Sequence, residues 1–217
     1  MKKFELTSEF ITNVFGVKLF RIRALVEFGN VSKGEFGGYV EKEENLDHYG
    51  NAWVSGDAHV YGNAWVSGDA QVSGDAQVYD DAWVSGNARV SDDARVYGDA
   101  WVSDDAQVYG DAQVYGDAQV YGNAQVAGDA RVSGNAQVSG DARVSDDADY
   151  TTVKGFGRYN RNTTFFRCKD GKVRVACGCF FGDMEKFRAI VKKTHGDGKI
   201  AIEYLMIADL MEMHFKV

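Results

Sequence analysis

Proline is absent from all 217 residues, and cysteine occurs only three times. Without proline, the chain's corners fall to glycine, aspartate and asparagine. Three cysteines cannot build a disulfide framework, so a reducing compartment is the simpler setting. No apolar run exceeds a few residues, which leaves nothing to span a bilayer as a helix. The opening Met1-Lys2-Lys3-Phe4-Glu5 is basic but lacks the apolar stretch of a secretory signal, and a cytoplasmic location is expected. Positive charge is also short: 24 Lys and Arg stand against 32 Asp and Glu, a net of −8. That balance argues against a general binder of nucleic acid or of membrane surfaces. What remains, 45% hydrophobic and 26% charged, is the composition of a folded chain of one or two domains.

An internal repeat dominates what is there. From Ala52 to Ala148 an alanine recurs at every sixth residue, seventeen times; from Val54 to Val144 a valine does so sixteen times, two residues after each alanine. The unit reads Ala-x-Val-x followed by Gly or Asp and then Asp or Asn, as in Ala58-His59-Val60-Tyr61-Gly62-Asn63. Residues two apart on a strand share a side, so Ala and Val face inward and the residue between them faces out. The closing pair is turn chemistry that tolerates left-handed backbone angles. Each unit is therefore one short strand and one corner. A strand so short buries its apolar side only by stacking on its neighbours, and a period of six does not suit a helix.

The unit resembles the hexapeptide repeat of left-handed parallel β-helices, in which an aliphatic residue is followed four positions later by a small one. Val54-Ser55-Gly56-Asp57-Ala58-His59 and Val66-Ser67-Gly68-Asp69-Ala70-Gln71 carry that pattern, and the resemblance covers residues 51–148. It implies a triangular solenoid with eighteen residues per coil. Sixteen valines then make a little over five coils, about 25 Å of rod at a strand spacing of about 4.8 Å.

With that coil length, residues eighteen apart form ladders. One face carries Trp53, Gln71, Arg89, Gln107, Gln125 and Arg143; the second carries His59, Gln77, Arg95, Gln113, Arg131 and Asp149. The third carries Trp65, Trp83, Trp101, Gln119 and Gln137, while Tyr61, Tyr79, Tyr97 and Tyr115 line the corner leading into it. These three tryptophans and four tyrosines are the candidate partner-binding residues, because exposed Trp and Tyr are common anchors of protein contacts. Stacked aromatics also stabilise neighbouring strands on their own, and a terminal segment or a second subunit is expected to cover the strip.

Charge is unevenly distributed. Residues 51–148 hold sixteen Asp and four Arg, a net of −12; residues 149–217 hold thirteen Lys and Arg against eight Asp and Glu, a net of +5. Asp57, Asp75, Asp93, Asp111, Asp129 and Asp147 fall on one corner, each expected to cap backbone N–H groups of its own turn. The repeat lacks the Gly-Gly-x-Gly-x-Asp form of calcium-binding β-rolls.

Three regions follow: a cap and degenerate first coil at 1–50, the solenoid at 51–150 and a C-terminal module at 151–217. In the first, Phe10-Ile11, Val14-Phe15 and Lys18 to Val26 read as strands, with Val40 and Leu46 on the alanine register. The step Gly37-Gly38-Tyr39-Val40 is similar to that of uncharacterised bacterial solenoid proteins labelled as transferases. In the module, strands 163–168 and 172–177 flank the hairpin signal Lys169-Asp170-Gly171. Asp183 can cap a helix running to about Thr194, with Met184, Phe187, Ile190 and Val191 as its apolar face. A second helix over 200–214 would bury Ile202, Leu205, Met206, Leu210 and Met213. The fold expected is mainly β, a left-handed parallel β-helix with a small ββαα module.

Little chemistry stands out. Cys168, Cys177, Cys179 and His195 lack the spacing of a structural zinc site, and Gly155-Phe156-Gly157 lacks the rest of a dinucleotide fingerprint. Many left-handed hexapeptide proteins are acyltransferases, which resemble one another in a histidine base, a loop between coils and a thioester cleft between subunits. This sequence has no such loop, and His59 is the solenoid's lone histidine. No catalytic residue, cofactor or metal is assigned. The expectation is a non-catalytic acidic rod whose partner is a protein, a second copy of itself included, with a trimer as in the superfamily. The resemblance to acidic pentapeptide-repeat solenoids gives the alternative of a DNA mimic seated in a basic cleft, and a hexapeptide-repeat acyltransferase is the other alternative.

Overall fold

The computed structural model describes residues 2–157 and 160–216. Sixteen two-residue strands, from Trp53–Val54 to Arg143–Val144, wind into a parallel β-solenoid of about six turns. Register confirms the coil length: Trp65 pairs with Trp83, Trp83 with Trp101, and Arg89 with Gln107, each eighteen residues on. Three stacks of parallel strands result, and they hold the outward residues in the three ladders read from the sequence. Asp149 is the exception: with Ala148 beside it exposed, it lies in a 3-10 turn after the last strand because the repeat ends there. Inside, the repeat's alanines from Ala52 to Ala142 and its valines are inaccessible, forming one continuous core. Between coils, the outward residue donates to an alanine carbonyl and the residue after valine to a valine carbonyl, as in Trp83 N to Ala100 O and Ser85 N to Val102 O, both 2.9 Å. As far as Gly140, each corner's first residue is left-handed, usually glycine; Asp80, Asp92 and Asp104 adopt the same region at φ 59°, 60° and 57°. Their carboxylates accept from Gly98 N, Gly110 N and Gly122 N on the next coil, at 3.3, 3.1 and 3.1 Å, which offsets the backbone cost.

The N-terminal end is closed by an antiparallel hairpin, Phe4–Thr12 with Lys18–Ala24, followed by the strand Phe36–Val40. Val14 and Phe15 form the exposed turn of this hairpin rather than a strand, because Asn13 Oδ1 accepts from both Phe15 N and Val17 N. Gly37 and Gly38 allow the next strand to lie on the coil: a β-carbon at Gly37 would stand 2.5 Å from Val54 O, and one at Gly38 2.7 Å from Ala58 O. Val40 and Leu46 sit opposite Val60 and Val66, twenty residues on, so they fill valine positions and not the alanine register. Two extra residues in this first coil cause the shift. Asn45, fully buried, seals it by donating to Gly62 O and Ala64 O.

The C-terminal module is larger than a ββαα unit. Its sheet has four antiparallel strands in chain order, Tyr150–Phe156, Arg161–Arg167, Val173–Cys177 and Phe180–Asp183. The expected hairpin forms the middle pair; the sequence signal for the outer two is weak because glycine interrupts both. Alternation splits this sheet. Phe166, Cys168 and Ala176 close the end of the solenoid core, while Phe165, Val173 and Val175 face the two helices. Helix α1, Met184–His195, is capped by Asp183, whose carboxylate accepts from Lys186 N at 2.8 Å. Met184, Phe187 and Val191 are buried there, whereas Ile190 is exposed.

Helix α2, Lys199–Phe215, is turned opposite to expectation. It buries Ala201, Tyr204, Ile207, Ala208, Met211 and Phe215, and leaves Ile202, Met206, Leu210 and Met213 more than half exposed. The helix is apolar on both sides, so periodicity could not choose between them; the fit of Tyr204 and Phe215 into the module core does.

Candidate functional site

The residues singled out from the sequence form two adjacent columns. At the corner, Tyr61, Tyr79, Tyr97 and Tyr115 stack in succession with ring centroids 5.0, 4.9 and 5.0 Å apart and planes within 4°. The coil rise sets this spacing, which falls in the range of favourable offset stacking. Tyr61 is buried against Leu19 and Tyr39 of the N-terminal cap, and Tyr79 packs at the margin of that cluster. Burial, followed by the flanking phenols, pushes Tyr79 up to about 12; burial also raises Tyr61 and Tyr97.

On the face beyond, Trp65, Trp83 and Trp101 meet edge to face, with centroids 5.1 and 6.3 Å apart and planes at 79° and 84°. Trp101 Nε1 donates to Ser85 Oγ at 3.3 Å. Neither terminal segment covers this column: Trp83 is 47% exposed and Trp101 44%. Between them lies an open cleft of about 360 Å³ bordered by Asp81 and Asp99. A surface combining indole faces with carboxylates suits apolar or cationic side chains of a partner.

The fourth tryptophan behaves differently. Trp53 lies on another face and is buried under the N-terminal segment, edge-on to Phe28 at 5.4 Å, with its Nε1 unpartnered. Ladder arithmetic places Trp53 outward correctly, but only the non-repeating segment decides that it is covered. His59 packs edge-on to Tyr39 at 5.9 Å; burial lowers its pKa, opposed by Asp57 and Asp75.

The acidic corners divide the labour in a way the sequence reading missed. Among the described residues, nothing donates to the side chains of Asp57, Asp75, Asp93, Asp111 and Asp129, which do not cap their own turns; Asp147 accepts from Arg131 N at 2.8 Å. On a second corner the sequence alternates as Asn51, Asp69, Asn87, Asp105, Asn123 and Asp141. There Asn51, Asn87 and Asn123 donate to Asp69, Asp105 and Asp141 one coil on, at 2.8, 3.0 and 3.5 Å. An eighteen-residue comparison of the corner letters would have revealed it.

The cysteines do not come together. Cys168 belongs to the solenoid core, where burial pushes its thiol up to about 11. Cys177 packs against the helices, with Thr163 Oγ1 donating to its sulfur at 3.2 Å. Cys179 sits exposed in the turn before Phe180, rather than on the same side of one strand as Cys177. Among the described residues, no helix is long and apolar enough to cross a membrane.

A comparison with curated proteins found no match. Segments 58–74, 70–86, 76–90, 88–104, 106–122, 118–134, 124–140 and 136–148 are each similar to the YdcK beta solenoid repeat. That likeness and the three stacked sheets agree: the chain is a β-solenoid repeat protein.

Proposed function

We propose that this protein is a left-handed hexapeptide-repeat solenoid that performs no catalysis and serves as a protein-binding or self-assembling scaffold. The contact surface is the column Trp65, Trp83 and Trp101 with its neighbours Tyr61, Tyr79, Tyr97 and Tyr115, and the C-terminal module adds a second surface. One observation carries this reading: Trp83 and Trp101 stay nearly half exposed although both ends of the rod are covered. Indole surface left in water is unfavourable by about 25 cal/mol per Å², and covering it is the usual way such a patch contributes to association. The outer stripe of α2 supports the same conclusion for the module. The partner favoured is a second copy, since both apolar surfaces belong to one chain.

Light scattering of the full chain tests it. A homo-oligomer is expected, and Trp83→Glu, at a half-exposed position, weakens it about tenfold or more while circular dichroism reports the fold retained. A monomer whose mass and behaviour ignore that change, and which captures no protein partner, overturns the proposal.

A further inference from the structure

The module contains a cavity of about 510 Å³ between helix α1 and the hairpin that includes Cys177 and Phe180. Its walls are mainly apolar, with Phe180, Phe187, Ile190 and Val191 making most of them. Of its polar groups, Tyr204 donates to Phe156 O at 3.4 Å and receives the Cys177 thiol at 3.9 Å, His195 stacks on the Tyr204 ring at 6.1 Å, and Thr194 and Cys179 complete the lining. Burial and the adjacent Cys177 push the Tyr204 phenol up to about 12, so it stays neutral. Arg161, exposed at the mouth, also borders a second cavity of about 320 Å³ whose other lining is polar and includes Lys154, Asn160 and Asn162. The chain carries 32 carboxylate side chains, yet none lines either cavity.

We infer that the two cavities form one binding site for an amphipathic organic anion, its hydrocarbon or aromatic body in the apolar cavity and its charged head between Arg161 and Lys154. Burial of the body supplies the driving force, and a few placed polar groups fix its direction. A guanidinium suits a carboxylate or phosphate head because its donors match two oxygens at once. The absence of lining carboxylates makes the junction attractive to an anion although the rod beside it is strongly acidic.

Decanoate and decanol, with one chain length and different heads, provide the test on the full protein by calorimetry and amide NMR. Decanoate is expected to bind one per chain, with shifts at residues 177–180 and 187–195, and about fivefold or more tighter than decanol. Arg161→Gln should remove that difference, and Ile190→Trp should weaken both ligands. Lys154→Gln, at an exposed position, gives an independent reading: decanoate weakens about twofold while decanol is unchanged. Equal affinity for the two ligands overturns the inference. So does absence of decanoate binding, or a set of shifts confined to the outer stripe of α2.

Discussion

At the scale of single residues, the corner is where sequence and backbone constrain each other most tightly. Left-handed corner positions take glycine or, three times, an aspartate whose carboxylate reaches the next coil. Steric clearance then varies along the rod. A β-carbon at Gly86 would lie 2.8 Å from Asp104 N, whereas one at Gly134 would meet nothing within 4 Å, although φ is 67° and 62°. Gly134→Ala is therefore expected to cost only the conformational term, about 1 kcal/mol, and Gly86→Ala about 2–3 kcal/mol because the stacked corner must also shift. Urea unfolding of the two variants checks this, and equal losses would contradict it. The inward Ala and Val and the outward ladders were legible because their period is exact to the residue. The Asn–Asp alternation was equally present in the letters but hides at a period of thirty-six, two coils. The covering of Trp53 was not legible, since it depends on Phe28 in a segment without repeat.

At the scale of elements, the tyrosine column links stacking to pH. The folded state holds Tyr79 near 12 and raises Tyr61 and Tyr97, whereas an unfolded tyrosine releases its proton near 10. Between those values the folded chain binds more protons than the unfolded one, so stability is unaffected below pH 10 and falls as pH rises through the interval. Tyrosinate absorbance is expected to show Tyr61, Tyr79 and Tyr97 ionising above pH 10, together with loss of β circular dichroism. Joint ionisation near 10 with the fold intact would exclude this coupling. The helices make a different point about legibility. Asp183 and the periodic face of α1 announced that helix, and it forms where expected. For α2 the extent was readable but the buried side was not, because Ile202, Met206, Leu210 and Met213 are as apolar as the residues that went inside.

At the scale of the whole molecule, the rod carries −12 and the module +5. On one corner, five aspartates one coil apart accept no hydrogen bond from the described residues, so like charges stand about 4.8 Å apart. Raising salt from about 0.05 M to about 0.5 M shortens the screening length from about 14 Å to about 4 Å and should raise the melting midpoint by about 3–5 °C. A midpoint that falls with salt would mean that attraction between rod and module outweighs this repulsion. The two closed ends have a further consequence. Because every coil meets its neighbours in the same way and each terminus is sealed by its own unrelated segment, inserting or deleting eighteen residues would leave both seals intact and move them by one strand spacing. The molecule is thus a ruler graduated in coils, and evolution can reset the distance between its two terminal surfaces by duplicating one short stretch of gene.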